Sequence, residues 1–270
     1  MTATKEQKIV VFTELVSEDN SLILNGIKVA SIFKKELCLV YNYSKKNKNN
    51  YSLFKEKLKQ YTSTIKNEVP HLTVSTLLLS ENHVDLPDIL ADDYEAIVLV
   101  VNSLRFKQYS KLLSESSVPL LFVRPDSKIM DFNQLVQPVD LRKENSDSSL
   151  WCSYFGRFNA AEIVVVAAND KGKYNRNELL KNIELSRKLY RKFKIKHKIY
   201  KGTKSSFRNS FEALDLALAS DCNLLVLLGS SAVTPLDLLI GLPERKIIQR
   251  AGNLPVLVIN ARKDNYILCD

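Results

Sequence analysis

The segment 223–260, NLLVLLGSSAVTPLDLLIGLPERKIIQRAGNLPVLVIN, decides the fold. Leu224 to Leu228 and Val256 to Ile259 are unbroken apolar runs, as expected of central parallel strands covered on both faces. Between them lie a loop opened by Gly229, a turn at Gly241 and a helix. A glycine at the carboxyl end of a buried strand, followed by a loop and a helix start, marks the place where open α/β sheets bind phosphate-bearing ligands. The segment is therefore a candidate phosphate cradle.

Upstream, the pattern predicts strands over 135–139, 163–167 and 196–200. The intervening helices carry Trp151, Phe155 and Phe158, then Leu179, Ile183, Tyr190 and Phe193, then Phe207, Phe211, Leu214 and Leu218, each set on one face. The same order occupies the first half. Strands are predicted over 8–12, 36–43, 72–79, 96–101 and 119–124. Helices are predicted over 21–34, around Phe54, Leu58, Tyr61 and Ile65, and over 86–92. Strands alternating with helices imply parallel sheets with helices on both faces.

The chain is thus an internal repeat. Glu14 matches Asp140 and Asn102 matches Gly229 at almost the same offset, whereas Pro119 matches Pro255 at a larger one. The extra length falls between the fourth and fifth strands, a stretch nine residues shorter in the first half (102–119 against 229–255). The first half thus has no room for the cradle. The polar run 124–133 serves as a linker, giving domains at 1–127 and 128–270.

Composition narrows the function. No apolar run approaches the roughly 18 residues of a membrane span, and the start of the chain enters a strand without a signal-peptide pattern, which implies a cytoplasmic setting. The four cysteines form no CxxC pair and the three histidines lie far apart, so neither a metal site nor a disulfide framework is indicated. The formal net charge of +9 is concentrated in 187–208. That segment reads either as a solvated helix face and strand edge or as a dock for an acidic partner; no nucleic-acid-binding motif accompanies it.

On these motifs the chain resembles a tandem universal stress protein, one family domain per half. KIVVFTE (8–14) and QLVQPVD (134–140) resemble the family's opening strand, LLVLLG (224–229) its fourth and PVLVIN (255–260) its fifth. The resemblance implies two tandem open parallel five-stranded sheets with helices on both faces, the Rossmann-like, adenine nucleotide alpha hydrolase-like fold. It also implies domain pairing through strands 119–124 and 255–260, and protein partners or self-association.

Nucleotide-binding members of the family carry Gly, two residues, Gly, nine residues, then Gly with Ser or Thr after the fourth strand. Gly229 fits the first position and Ala232 stands at the second. Gly241 follows after eight residues, and Leu242 takes the hydroxyl position. An alanine restricts φ and a leucine donates no hydrogen bond, so the motif is damaged, with Ser230, Ser231 and Thr234 as partial substitutes. The resemblance implies a nucleotide site built from Val139, Asp140, Ala167, Leu228, Gly229, Ser230, Ser231, Ala232, Gly241 and Leu242, with ATP and Mg as its ligand. Asp140 is either the family's adenosine contact or a polar residue that ends a strand. No catalytic residue is assigned. The leading expectation is a non-catalytic stress-response regulator. The alternatives are an ATP sensor using the second half, hydrolysing slowly at most, and a scaffold for an acidic partner.

Overall fold

The computed structural model describes residues 6–110, 112–230 and 242–260. The chain divides into two compact units between Ile129 and Met130.

The first unit contains β1 (Lys8–Phe12), α1 (Asp19–Phe33), β2 (Glu36–Asn42), α2 (Tyr51–Glu68), β3 (Val74–Leu79), α3 (Leu86–Tyr94), β4 (Ala96–Asn102), the short helices α4 (Phe106–Tyr109) and α5 (Leu112–Glu115), and β5 (Leu120–Val123). Its strands lie in the order β3-β2-β1-β4-β5, with every adjacent pair parallel. The second unit contains β6 (Gln134–Val139), α6 (Asn145–Phe158), β7 (Glu162–Ala167), α7 (Lys173–Lys192), β8 (His197–Lys201), α8 (Ser206–Leu218), β9 (Leu224–Leu228), α9 (Pro243–Ala251) and β10 (Val256–Ile259). Its order is β10-β9-β6-β7-β8, again all parallel. Each unit therefore contributes five parallel strands in the same winding order, as the repeat requires. In the second unit α6 packs against α7 while α8 packs against α9. Right-handed crossovers place these two pairs on opposite faces of the sheet.

The apolar runs form the cores. Every residue of β4, β5, β9 and β10 is buried. Trp151 and Phe155 bury on α6, as their spacing predicts, but Phe158 at its end is 37% exposed and lies under the Arg157 guanidinium. The face expected on α8 is also corrected. Phe207 is 83% exposed and Leu218 is 48% exposed. Of the expected face only Leu214 is buried, joined by Asn209, Ala213 and Ala217. Small residues allow close approach to the sheet. Asn209 donates to the carbonyls of Val139 and Val166 at 3.0 and 2.9 Å, which satisfies the ends of two strands.

One feature of the second sheet shapes the site. β6 pairs with β7 along six residues but with β9 only at Leu135↔Leu224 and Val136↔Leu225. Pro138 lies just beyond that short ladder and has no N–H to extend it. The carboxyl ends of β6 and β9 thus share no backbone ladder.

Candidate functional site: a crevice closed by its own side chains

In an open sheet of this order, the ligand crevice lies beyond the carboxyl ends of the strands where the winding reverses. That place is between β6 and β9 in the second unit and between β1 and β4 in the first.

In the second unit Val139, Asp140, Leu228 and Gly229 meet there, gathered around a residue that sequence reasoning did not select, Arg142. Its guanidinium donates to the Asp140 carboxylate through Nη2 at 2.6 Å and Nε at 2.9 Å. Its Nη1 donates to the carbonyl oxygens of Leu228 at 3.1 Å and Gly229 at 3.0 Å. A single side chain therefore ties the end of β6 to the end of β9, where the backbone ladder is missing. Asp140 is buried and takes two further bonds, from the Arg142 amide at 2.9 Å and from Asn145 Nδ2 at 3.0 Å. Asn182 on α7 donates to the carbonyls of Asp140 and Arg142 at 2.9 and 3.0 Å, which fixes the turn.

The phosphate side of the crevice is filled as well. Glu244, buried in the first turn of α9, accepts from the Ser230 amide at 2.6 Å and the Ser230 hydroxyl at 2.7 Å. A carboxylate near a helix N-terminus is favoured by the exposed N–H groups and the helix dipole. Here the protein supplies that anion itself. Leu242 caps the same helix and brings no side-chain hydrogen bond. Ala167, one strand further out, is buried, and its carbonyl accepts from the Gly202 amide at 2.7 Å. Ser231, Ala232 and Gly241 lie outside the described residues.

Gly229 has a packing explanation independent of phosphate. A Cβ built on it would stand 3.0 Å from Asn260 Oδ1 and 3.2 Å from a Val258 methyl. A side chain here would make the end of β10 give way by a few tenths of an ångström, a tightness that involves no phosphate. As they stand, the described residues do not fit a nucleotide. Asp140 is saturated, the Ser230 amide is occupied, and Arg142 crosses the opening, so a ligand entering here must first displace Arg142 and Glu244.

The first unit also sets an ion pair across its switch point, a more exposed one built from different parts. Glu14, at the end of β1, makes a two-pronged pair with Arg105, which follows β4: Nε at 2.9 Å and Nη2 at 3.0 Å. Asp19, the counterpart of Asn145, accepts from the amides of Glu14 at 3.0 Å and Val16 at 3.2 Å. Burial raises the Asp19 carboxyl above its ordinary value, against the lowering effect of those amide bonds. Beside the pair is a cavity of about 280 Å³ touching Glu14, His83, Arg105 and Tyr109. Burial lowers the His83 pKa from its ordinary value.

The basic segment 187–208 is partly compensated. Lys198 pairs with Glu162 at 2.9 Å, Arg187 pairs with Glu184, and Lys192 lies over the Phe193 ring. Burial pushes the thiols of Cys38 and Cys222 up to about 11, away from thiolate chemistry.

Taken by itself, each unit is a doubly wound α/β fold with one switch point. No family model matches the chain, and no curated protein matches it in sequence. Among solved structures, a universal stress protein from Archaeoglobus fulgidus matches over 96% of this chain and 97% of its own, with a TM-score of 0.67 and 11% sequence identity. A universal stress protein in complex with cAMP matches over 46% of this chain and 100% of its own, at 16% identity and a TM-score of 0.34, too loose to carry an argument. The chain has the universal stress protein fold. Among its described residues, no helix is long and apolar enough to cross a membrane.

Proposed function

We propose that this chain is a non-catalytic, stress-response regulatory protein of the universal stress protein type, cytoplasmic, whose nucleotide crevices are closed by internal ion pairs. The observation that carries this reading is Arg142, which spans from Asp140 to the carbonyls of Leu228 and Gly229. A protein that used ATP at this switch point would keep Asp140 and the amides after β9 available to the ligand. Here Asp140 is engaged by Arg142, and the Ser230 amide by Glu244.

Calorimetric titration of ATP and AMP with magnesium tests the reading. The wild type should give no binding heat at millimolar nucleotide, and Arg142→Ala combined with Glu244→Gln should bind more tightly than wild type. Micromolar binding to the wild type, with amide shifts at 139–145 and 228–230, overturns it in favour of an ATP sensor in the second half.

The reading includes pairing of the two halves as a pseudo-dimer through β5 and β10. The pairing is what the family resemblance implies, and it would cover a strand edge that each unit otherwise leaves open. Pairing predicts slow exchange of amides in 120–123 and 256–259; rapid exchange in both strands would sink it. An acidic protein partner on 187–208 is the second reading, favoured by the exposed Arg191 and Lys194, which have no ion-pair partner among the described residues. Reversing both charges should abolish such binding.

A further inference from the structure

A cavity of about 430 Å³ opens in the second unit beside the closed crevice, between α7 and the carboxyl ends of β7 and β8. Its size lies within the range of small-molecule sites. Leu179 and Ile183, both buried on the inner face of α7, line it together with Ile199 of β8. Three cations also line it: Arg176, Arg187 and Lys201. Arg187 is paired with Glu184, while Arg176 and Lys201 have no ion-pair partner among the described residues. The one carboxylate of the lining, Asp170, is occupied: it accepts from the Ser206 amide at 3.1 Å and the Ser206 hydroxyl at 2.5 Å at the start of α8.

We infer that this cavity binds a small amphiphilic anion, a short apolar body ending in a carboxylate or phosphate. The apolar body would lie on Leu179, Ile183 and Ile199, and the head group between Arg176 and Lys201. Two chemical facts select this class. An apolar floor removes hydrocarbon from water without requiring polar contacts. Unpaired cations at the rim of a low-dielectric cavity attract an anion more strongly than they would on an open surface. A nucleotide at the switch point would need Arg142 to move; a ligand in this cavity would not. The cavity shares Ala167 with the expected nucleotide site but none of the closing residues Asp140, Arg142 and Glu244, so its occupancy is read separately from theirs.

The test is a titration of the full-length protein, followed by amide NMR, with octanoate, octyl phosphate and octanol. One or both anions should shift the amides of 168–170 and 176–187 saturably, and the tighter of the two identifies the head group. Octanol should bind about tenfold more weakly or not at all. Arg176→Glu with Lys201→Glu should weaken the anions by about tenfold or more, whereas the charge-preserving pair Arg176→Lys with Lys201→Arg should retain binding. Both side chains are exposed, so the fold tolerates these changes; an unchanged melting temperature checks this. Equal binding of octanol, no saturable shift with either anion, or full anion binding by the charge-reversed variant would each overturn the inference.

Discussion

Replacing Arg142 with methionine keeps most of the aliphatic stem and removes the guanidinium. In the wild type the pair is unequal in burial, the Asp140 side chain being 5% exposed and that of Arg142 33% exposed. Breaking a fully buried pair costs about 3–5 kcal/mol, while exposed pairs contribute about 0–1 kcal/mol. Asp140 keeps its bonds from the Arg142 amide and Asn145, which softens the loss. The carbonyls of Leu228 and Gly229 lose their side-chain donor. The expected cost is about 2–3 kcal/mol. Urea unfolding should show it as a lowered midpoint with an unchanged slope. Asp140→Asn should lose about 1–2 kcal/mol, and the double variant should lose less than the two singles combined, by about 1.5 kcal/mol. A cost under about 0.5 kcal/mol for Arg142→Met, with no coupling to Asp140, would show a solvent-screened pair that does not hold the crevice.

Three more outcomes are expected. Arg105→Ala in the first half should lose under about 1 kcal/mol, because Arg105 is 58% exposed; the same unfolding assay compares the two pairs directly. His83 stays neutral in the fold to a lower pH than its ordinary value of 6.5, since burial disfavours its charged form. The unfolded chain takes up that proton first. Stability should therefore fall as pH drops through 6.5 towards the folded value, and His83→Gln should remove this part of the profile in pH-dependent urea melts. On α8, Leu214→Ala should cost about 2–5 kcal/mol and Phe207→Ser under about 0.5 kcal/mol, the reverse of a ranking by side-chain size, as thermal unfolding of the two variants would show.

The strands were legible from sequence because their apolar runs are longer than any turn and recur in the same order twice. Helix faces were less so. Phe207 and Leu218 fit a helical stripe as well as Ala213 and Ala217 do, and only the need for close approach to the sheet selects the small residues. In the site, Asp140 and Gly229 were placed correctly at the strand ends, since position alone determines that. Their neighbours were not foreseeable. Arg142 follows Asp140 by two residues, a spacing that on paper describes an ordinary surface loop. Its reach to Leu228 depends on the gap that Pro138 opens between β6 and β9. Glu244 is an acid in the first turn of its helix, and nothing in the sequence signals that its carboxylate turns back to Ser230.

The two closures run in opposite directions. In the first half the arginine follows the fourth strand and reaches back to an acid after the first; in the second it follows the first strand and reaches across to the fourth. If both halves descend from one duplicated ancestor, a single inherited arginine cannot have given both. Each copy would then have acquired its own by a separate substitution, on opposite sides of the same gap. Two arginines at non-equivalent positions thus bridge the same gap from opposite sides, the second-half one more deeply buried than the first.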